Sequence, residues 1–298
     1  MGHDQLFKSI LEKCLRDFLE LFFPEVAARL DFETMQLMGK EIFTGFPEGN
    51  RREVDFLARV NTHQGDPEFV LVHIEVQARP EKDFARRMFE YAAALWLAHN
   101  APVFPVVLYL RGGQGLSEEE FDLTLFGREI FRFRYAAVGL ARLNAQEYLE
   151  ANALGVALAS LMRRDVVPDE VVLRAEMLRR VIESGVDEPI LYLLVNVIET
   201  YFPLTGAELE RFEQLVSRKE YRNVQEIELT WADRIHEKGR EAGVIEGKRE
   251  SLLKLLIARF GSLPAETTSR VQNIVSGADL DRYLEQAAVS RSLEEVGV

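Results

Sequence analysis

The sequence predicts an α/β core, a small mixed sheet flanked by helices, followed by an all-α C-terminal half. Three observations carry this. Phe69–Arg79, read FVLVHIEVQAR, begins as a continuous apolar run, the mark of a strand covered on both faces. A helical pattern and a second apolar run, PVFPVVLYL at Pro102–Leu110, follow it, which is the order of a βαβ unit. From Asn144 the pattern becomes helical, punctuated by Gly185, Pro189, Pro203 and Gly206.

From Gln5 to about Phe23, Leu6, Phe7, Ile10, Leu11, Cys14, Leu15, Phe18, Leu19 and Phe22 recur at spacings of three and four. This predicts an amphipathic helix with Asp4 at its N-cap. Pro24 interrupts it, and Pro-Glu starts a second short helix over Glu25–Leu30. Met35–Thr44 alternates and is followed by the turn signal PEGN (Pro47–Asn50) and a strand at Glu53–Val60, together a β-hairpin. Asn61–Pro67 is a second turn, leading into the Phe69 strand. After Pro80 a helix is predicted from about Glu81 to His99, with Phe84, Met88, Tyr91, Ala92, Leu95 and Ala98 as its buried stripe. Val103–Leu110 is a fourth strand. RGGQG (Arg111–Gly115) is a flexible loop; it lacks the Lys-Ser/Thr ending of a P-loop and runs into acidic SEEEFD. Phe126–Val138 alternates as an edge strand or clasp.

Further helices are predicted at about Ala145–Met162, Pro168–Ser184, Glu188–Tyr201 and Gly206–Ser217. Val224–Phe260 reads as one long helix in which Gly239, Gly243 and Gly247 recur along one face. Charged residues surround every glycine, so the segment is either a site of close helix approach or a charged connector, each glycine costing about 1 kcal/mol against alanine. Beyond the stop GSLP, helices near Pro264–Val275 and Asp279–Glu295 complete a small tail module. The expected organisation is a core over 1–140, a helical region over 141–235, and a Gly-spaced helix with its tail module over 236–298.

The chain has 298 residues and a net charge of −13. Residues 1–135 carry 16 Lys/Arg against 22 Asp/Glu, and the remainder is acidic too. Nucleic-acid binding usually leaves a basic footprint, so binding to DNA would need a local basic patch together with bound metal, and would be weak and salt-sensitive. No apolar run approaches the roughly 18 residues of a membrane helix. The N-terminus has no secretory pattern. A single cysteine, Cys14, allows no internal disulfide and fits a reducing cytoplasm. With it and five scattered histidines there is no zinc-ligand spacing.

The chemistry centres on the end of the Phe69 strand. Side chains alternate faces along a strand, so Glu75 and Gln77 emerge together while Val70, Val72, Ile74 and Val76 point the other way. Asp55, in RREVDFLARV, lies on the preceding strand. The carboxylates of Asp55 and Glu75 with the backbone carbonyl of Val76 form an oxygen donor set for Mg²⁺, or Mn²⁺, and Gln77 stands where it would position water. Such a cation lowers the pKa of a bound water and neutralises charge on a scissile phosphate. Four residues have plainer readings beside the functional one. His73 shares the face of Glu75 and suits a hydrogen-bonded core position; Glu41 suits a solvated strand carboxylate. Asp4 and Lys8, four apart, suit a helix cap and a surface ion pair.

Val54-Asp55 with Glu75-Val76-Gln77 resembles the PD-(D/E)XK nuclease superfamily. The ordered set MGHDQLFKSIL, RREVDFLARV, VHIEVQAR, RRMFEYAAALW and FPVVLYL resembles the Rpn-type recombination-promoting nucleases, also called YhgA-like putative transposases. Asp4 and Lys8 match that family's opening HD-x-x-FK pattern. LLKLLIARFGSLP resembles a small C-terminal domain of unknown function attached to such cores. The resemblance implies a restriction-endonuclease-like core and Mg²⁺-dependent DNA endonuclease activity, linked to recombination or mobile elements, with Asp55 and Glu75 as metal ligands. One departure is that Gln77 stands where many members have Lys. A cation such as Arg79, Lys82, Arg86 or Arg87 is then expected to supply the missing charge. The competing expectation is a catalytically weak or inactive nuclease-fold protein acting as an oligomeric interaction module. The Gly-spaced helix and the cutting of two strands both point toward a homodimer.

Overall fold

The computed structural model describes residues 3–39, 53–65, 67–165, 169–261, 263–274, 276–290 and 292–297. The chain divides into two compact units, Met1–Val224 and Gln225–Val298.

The first unit opens with α1, His3–Phe22, whose backbone leaves helical geometry at Cys14 (φ −124°, ψ 26°). Pro24 then begins the short α2, Pro24–Ala27. Strands β1 (Leu30–Leu37), β2 (Phe56–Thr62) and β3 (Phe69–Gln77) pair antiparallel in sequence order. Helix α3, Phe84–His99, crosses to β4, Val103–Tyr109, which runs parallel to β3. The hairpin of β5, Leu116–Leu125, and β6, Arg128–Gly139, completes a six-stranded sheet in the order β1-β2-β3-β4-β6-β5. The predicted mixed sheet with flanking helices is therefore present, and β3-α3-β4 is the predicted parallel crossover.

Several elements differ from the sequence expectation. The second helix ends at Ala27, and Leu30, expected at its end, opens β1 instead of a strand at Met35. The pairing of β1 shifts register between Asp31 and Gln36, where Thr34 Oγ1 donates to the Asp31 carbonyl and accepts from the Asn61 amide. That irregularity breaks the period of two on which strand recognition depends. The later part of the expected Met35–Thr44 strand, with Glu41 and the PEGN turn, lies outside the described residues.

The acidic stretch after RGGQG, to which the sequence reading assigns no element, is strand β5. Glu118 and Glu120 face Arg132 and Arg134 of β6 in a ladder of exposed ion pairs, while Phe121 turns inward against Phe89. Cross-strand pairing here overrides the low strand preference of glutamate. The strand predicted as an edge, β6, lies between β4 and β5, and β5 is the edge on that side. The two strands turn through Phe126 (φ 52°) and Gly127 (φ 75°), the left-handed pair of a type I′ turn.

The sheet is covered on both faces. Val72, Ile74 and Val76 of β3 with Val106 and Leu108 of β4 are buried on the α1 side, where Phe23 meets Phe104 edge to face at 5.4 Å. On the other side Leu71, Val107 and Tyr109 pack beneath Phe84, Met88, Tyr91 and Leu95 of α3. The far side of α1 packs against α4 (Ala153–Leu158) and α6 (Glu188–Tyr201). The helix expected over Ala145–Met162 is broken: Asn152 accepts the Gly155 amide and donates to the Asp17 carbonyl, so it caps a new start. Helices α5 (Glu170–Glu183) and α7 (Ala207–Val216) close this layer, with buried Arg174 paired to Glu199 and 4.6 Å from the ring of Phe212.

Helix α8 runs over Arg222–Phe260 as one piece of 39 residues and ends at Gly261, φ 83°. In the second unit Leu252 and Leu256 of α8 form a small core with Val271 of α9 (Ala265–Asn273), Leu280 and Ala287 of α10 (Gly277–Val289), and Val296 of α11 (Leu293–Val296). A Cβ added at Gly247 would meet nothing within 4 Å, so among the described residues no close helix packing uses that glycine.

Candidate active site

The register of β2 and β3 brings the two sequence-predicted carboxylates together. Phe56 pairs with Ile74, the last register pair, so Asp55, one residue before β2 begins, lies beside Glu75 where the paired register ends. Two hydrogen bonds lock the pair. The Asp55 amide donates to Glu75 Oε1 at 3.1 Å, and the Val76 amide donates to Asp55 Oδ2 at 2.9 Å. Beyond Ile74, then, the side chain of Asp55 takes the place of a β2 backbone partner. The N–H and C=O of one residue in an extended strand point to the same side, which puts the Val76 carbonyl along the edge served by Asp55.

Glu75 is only 4% exposed, and a buried carboxylate needs partners. Besides the Asp55 amide, its Oε1 lies 3.0 Å from Nε2 of the fully buried His73. His73 Nδ1 has no hydrogen-bond partner, so the ring serves Glu75 through Nε2, and Tyr91 of α3 holds it edge to face at 5.6 Å. The plain and the functional readings of His73 meet here: it is a core histidine whose hydrogen bond orients a site carboxylate.

Lys8 reaches the site from α1. Its Nζ lies 3.0 Å from Asp55 Oδ1, with each side chain 15% exposed. The cations expected from the sequence are placed otherwise. Arg86 pairs with Glu90 and Arg87 with Glu81, while Arg79 and Lys82 are exposed. Lys8 makes a half-buried contact with Asp55, and the surface pair expected with Asp4 falls on a side chain outside the described residues. Nothing in the 3.6-residue period of α1 signals this, because the contact depends on where the sheet ends.

Gln77 is half-buried on the Glu75 face, and its carbonyl accepts the Leu110 amide at 2.9 Å. Beside it in register is Tyr109, whose hydroxyl donates to Glu119 Oε2 at 2.9 Å; Tyr135 donates to the same oxygen at 2.8 Å. Burial, then the hydrogen bond to Glu119, raises both phenols well above their ordinary range, so they remain protonated donors. Nothing in the sequence signals this Tyr-Glu-Tyr cluster, since the acidic stretch that holds Glu119 carries no apolar alternation to mark it as a strand.

Among the described residues no three His, Cys, Asp or Glu side chains group as a metal-holding cluster. The hydrogen bonds of Asp55 place two carboxylates at neighbouring strand ends, with the Val76 carbonyl along the same edge. That chemistry suits a hard divalent cation rather than zinc. The parallel strands β3 and β4, with β6, all end at this edge, and Arg79, Arg111 and Arg142 follow their last residues closely, with Lys82 just before α3. All four are exposed or half-exposed, and none pairs with a carboxylate among the described residues.

A sheet crossed by one parallel βαβ unit, with paired carboxylates at the strand ends and a helical second half, defines the class. The chain belongs to the family described as "Putative transposase, YhgA-like", which it matches over residues 1–188. It is 24% identical over 275 residues to the inactive recombination-promoting nuclease-like protein RpnE of Escherichia coli K12, covering 86% of this chain and 88% of that one. It is 25% identical over 198 residues to the recombination-promoting nuclease RpnC of the same organism, covering 61% and 64%. No solved structure matches the chain. No helix among the described residues is long and apolar enough to cross a membrane.

Proposed function

We propose that the chain is a Mg²⁺-dependent DNA endonuclease of the PD-(D/E)XK type, acting in recombination or on mobile elements. The observation that carries this is the pair of hydrogen bonds that ties Asp55 to Glu75 and Val76 at the ends of adjacent strands. The residues fit a hard cation: Asp55, Glu75 and the Val76 carbonyl would hold Mg²⁺, or Mn²⁺, which supplies an activated water and neutralises phosphate charge when bound. Glu75 keeps its orientation through His73, and Gln77 offers an amide to position the water. In the reaction a water oxygen bonds to phosphorus, the bond to the departing sugar oxygen breaks, and that oxygen takes up a proton.

The name of RpnC supports a nuclease reading. The cations Arg79, Lys82, Arg111 and Arg142, none held by a described carboxylate, give the site edge a local basic rim within a chain of net charge −13, which supports DNA as substrate. Cleavage of plasmid DNA with Mg²⁺ or Mn²⁺, abolished by Asp55→Ala and by Glu75→Ala, is the expected result; cleavage that persists in both variants removes this site from the reaction.

A second reading is favoured by one comparison. RpnE is described as inactive, and Gln77 lacks the charge of a lysine. On this reading the fold is kept as a self-associating interaction module in the cytoplasm, and wild-type protein cleaves nothing under any divalent cation while running as a homodimer in solution.

A further inference from the structure

Position 77 of β3 carries a neutral amide, yet the site has a cation. We propose that Lys8 is the charged group of this site, delivered by α1 instead of by the strand; this rests on the nuclease reading above. Lys8 Nζ sits 3.0 Å from Asp55 Oδ1 while the other oxygen of the same carboxylate is fixed by the Val76 amide. Both side chains are 15% exposed, so the contact is shielded from solvent more than a surface pair. Of the other cations, Arg86 and Arg87 are engaged by Glu90 and Glu81, and Arg79 and Lys82 are exposed and make no ion pair with Asp55 or Glu75.

A lysine is a compact charge with three donors on a flexible stem. From the α1 side it can hold a water or a phosphate oxygen while it remains beside Asp55. Its position has a second consequence. An ammonium and a divalent cation drawn to the same carboxylate repel each other, so Lys8 weakens cation binding at the same time as it supports the reaction. These two effects have opposite signs, which separates the proposal from a purely structural role.

The test uses the full-length protein and its Lys8→Met, Lys8→Arg and Lys8→Met/Gln77→Lys variants, each checked by thermal melting. Mn²⁺ affinity is measured by calorimetry without DNA, and single-turnover plasmid cleavage is measured separately. Lys8→Met is expected to bind Mn²⁺ about tenfold more tightly, because a neighbouring positive charge is gone, and to cleave at least tenfold more slowly at saturating DNA. Lys8→Arg is expected to keep weak Mn²⁺ binding and part of the cleavage, and the double variant to regain cleavage. A folded Lys8→Met protein whose Mn²⁺ affinity is unchanged or weaker overturns the proposal, as does one that cleaves at the wild-type rate. If the wild type cleaves no DNA with any cation, the nuclease reading fails by itself. The Mn²⁺ comparison still decides on Lys8: tighter binding after its removal supports the proposal, and no binding by either protein overturns it.

Discussion

Asp55 Oδ2 accepts the backbone N–H of Val76 at 2.9 Å, so a side chain closes the sheet ladder where β2 stops. Asp55 therefore carries structure as well as charge, and its substitutions should separate the two. Asp55→Ala leaves a strand amide without its acceptor and is expected to lower stability by about 1–3 kcal/mol. Asp55→Asn keeps an acceptor for Val76 and is expected to lose less than half as much. Both should lose Mn²⁺ binding. Urea denaturation alongside calorimetry checks the pair; equal destabilisation by the two variants would deny the ladder role.

His73 acts on Glu75 from two residues earlier on the same face of β3. Replacing it by leucine removes the 3.0 Å hydrogen bond to Oε1 while keeping the position apolar and filled. Partners that orient a ligand typically contribute about 10–100-fold to metal affinity or activity. His73→Leu is expected to weaken Mn²⁺ binding within that range with the protein still folded, as read by calorimetry and near-ultraviolet circular dichroism.

The tip of the β5–β6 hairpin holds Phe126 in the left-handed region at φ 52° with the residue 95% exposed. A bulky residue there carries strain that asparagine tolerates, and so much exposure leaves little packing to lose. Phe126→Asn is expected to stabilise the protein by about 1 kcal/mol, measured by the midpoint of urea unfolding with unchanged slope.

Much of this architecture is legible in the sequence, and the reasons for the gaps are physical. The β3-α3-β4 crossover stands out because Phe69–Gln77 and Val103–Tyr109 are apolar runs separated by a clean helical stripe. The start of β1 is hidden because Thr34 and Asp31 disturb the alternation around a register shift. The strand character of Ser117–Asp122 is hidden because its glutamates find cross-strand arginines that lie many residues later. Asp55 and Glu75 are recognisable from their strands and Lys8 from the opening pattern, whereas the contact of Lys8 with Asp55 and the part of Glu119 appear only through tertiary placement.

The basic rim predicts how DNA binding responds to salt. Each cation that ceases to neutralise a phosphate should reduce the slope of log affinity against log salt by about 0.9. With Ca²⁺ to suppress turnover, Arg79→Ala/Arg111→Ala is expected to flatten the slope by about 2. A control substitution on α10, Arg282→Ala, should leave it as in the wild type. Fluorescence anisotropy with a labelled duplex across a salt series gives both slopes.

Cys14 sits at the break in α1, 2% exposed, and burial followed by the nearby Asp17 pushes its thiol from 9.0 to about 12. A raised folded pKa means that the neutral thiol is favoured in the fold. Its contribution to stability is full below about pH 9 and is lost as the pH rises toward 12. Native protein at pH 8 is expected to react with a disulfide reagent only as fast as α1 opens, and mild urea should accelerate the reaction. Rapid labelling without denaturant would show that the thiol is accessible in the native state.

The outermost strand, β5, has one further consequence. An edge strand offers unpaired backbone groups to any similar strand, and two copies joined there would form a continuous sheet. Glu118, Glu120 and Asp122 lie along β5 on its solvent side, partly neutralised by Arg132 and Arg134 of its own hairpin. Bringing a second β5 alongside would set carboxylate against carboxylate. The charges that disguise this strand in the sequence are thus also a guard against fibrous self-assembly, and neutralising them would be felt first as a fall in solubility during concentration.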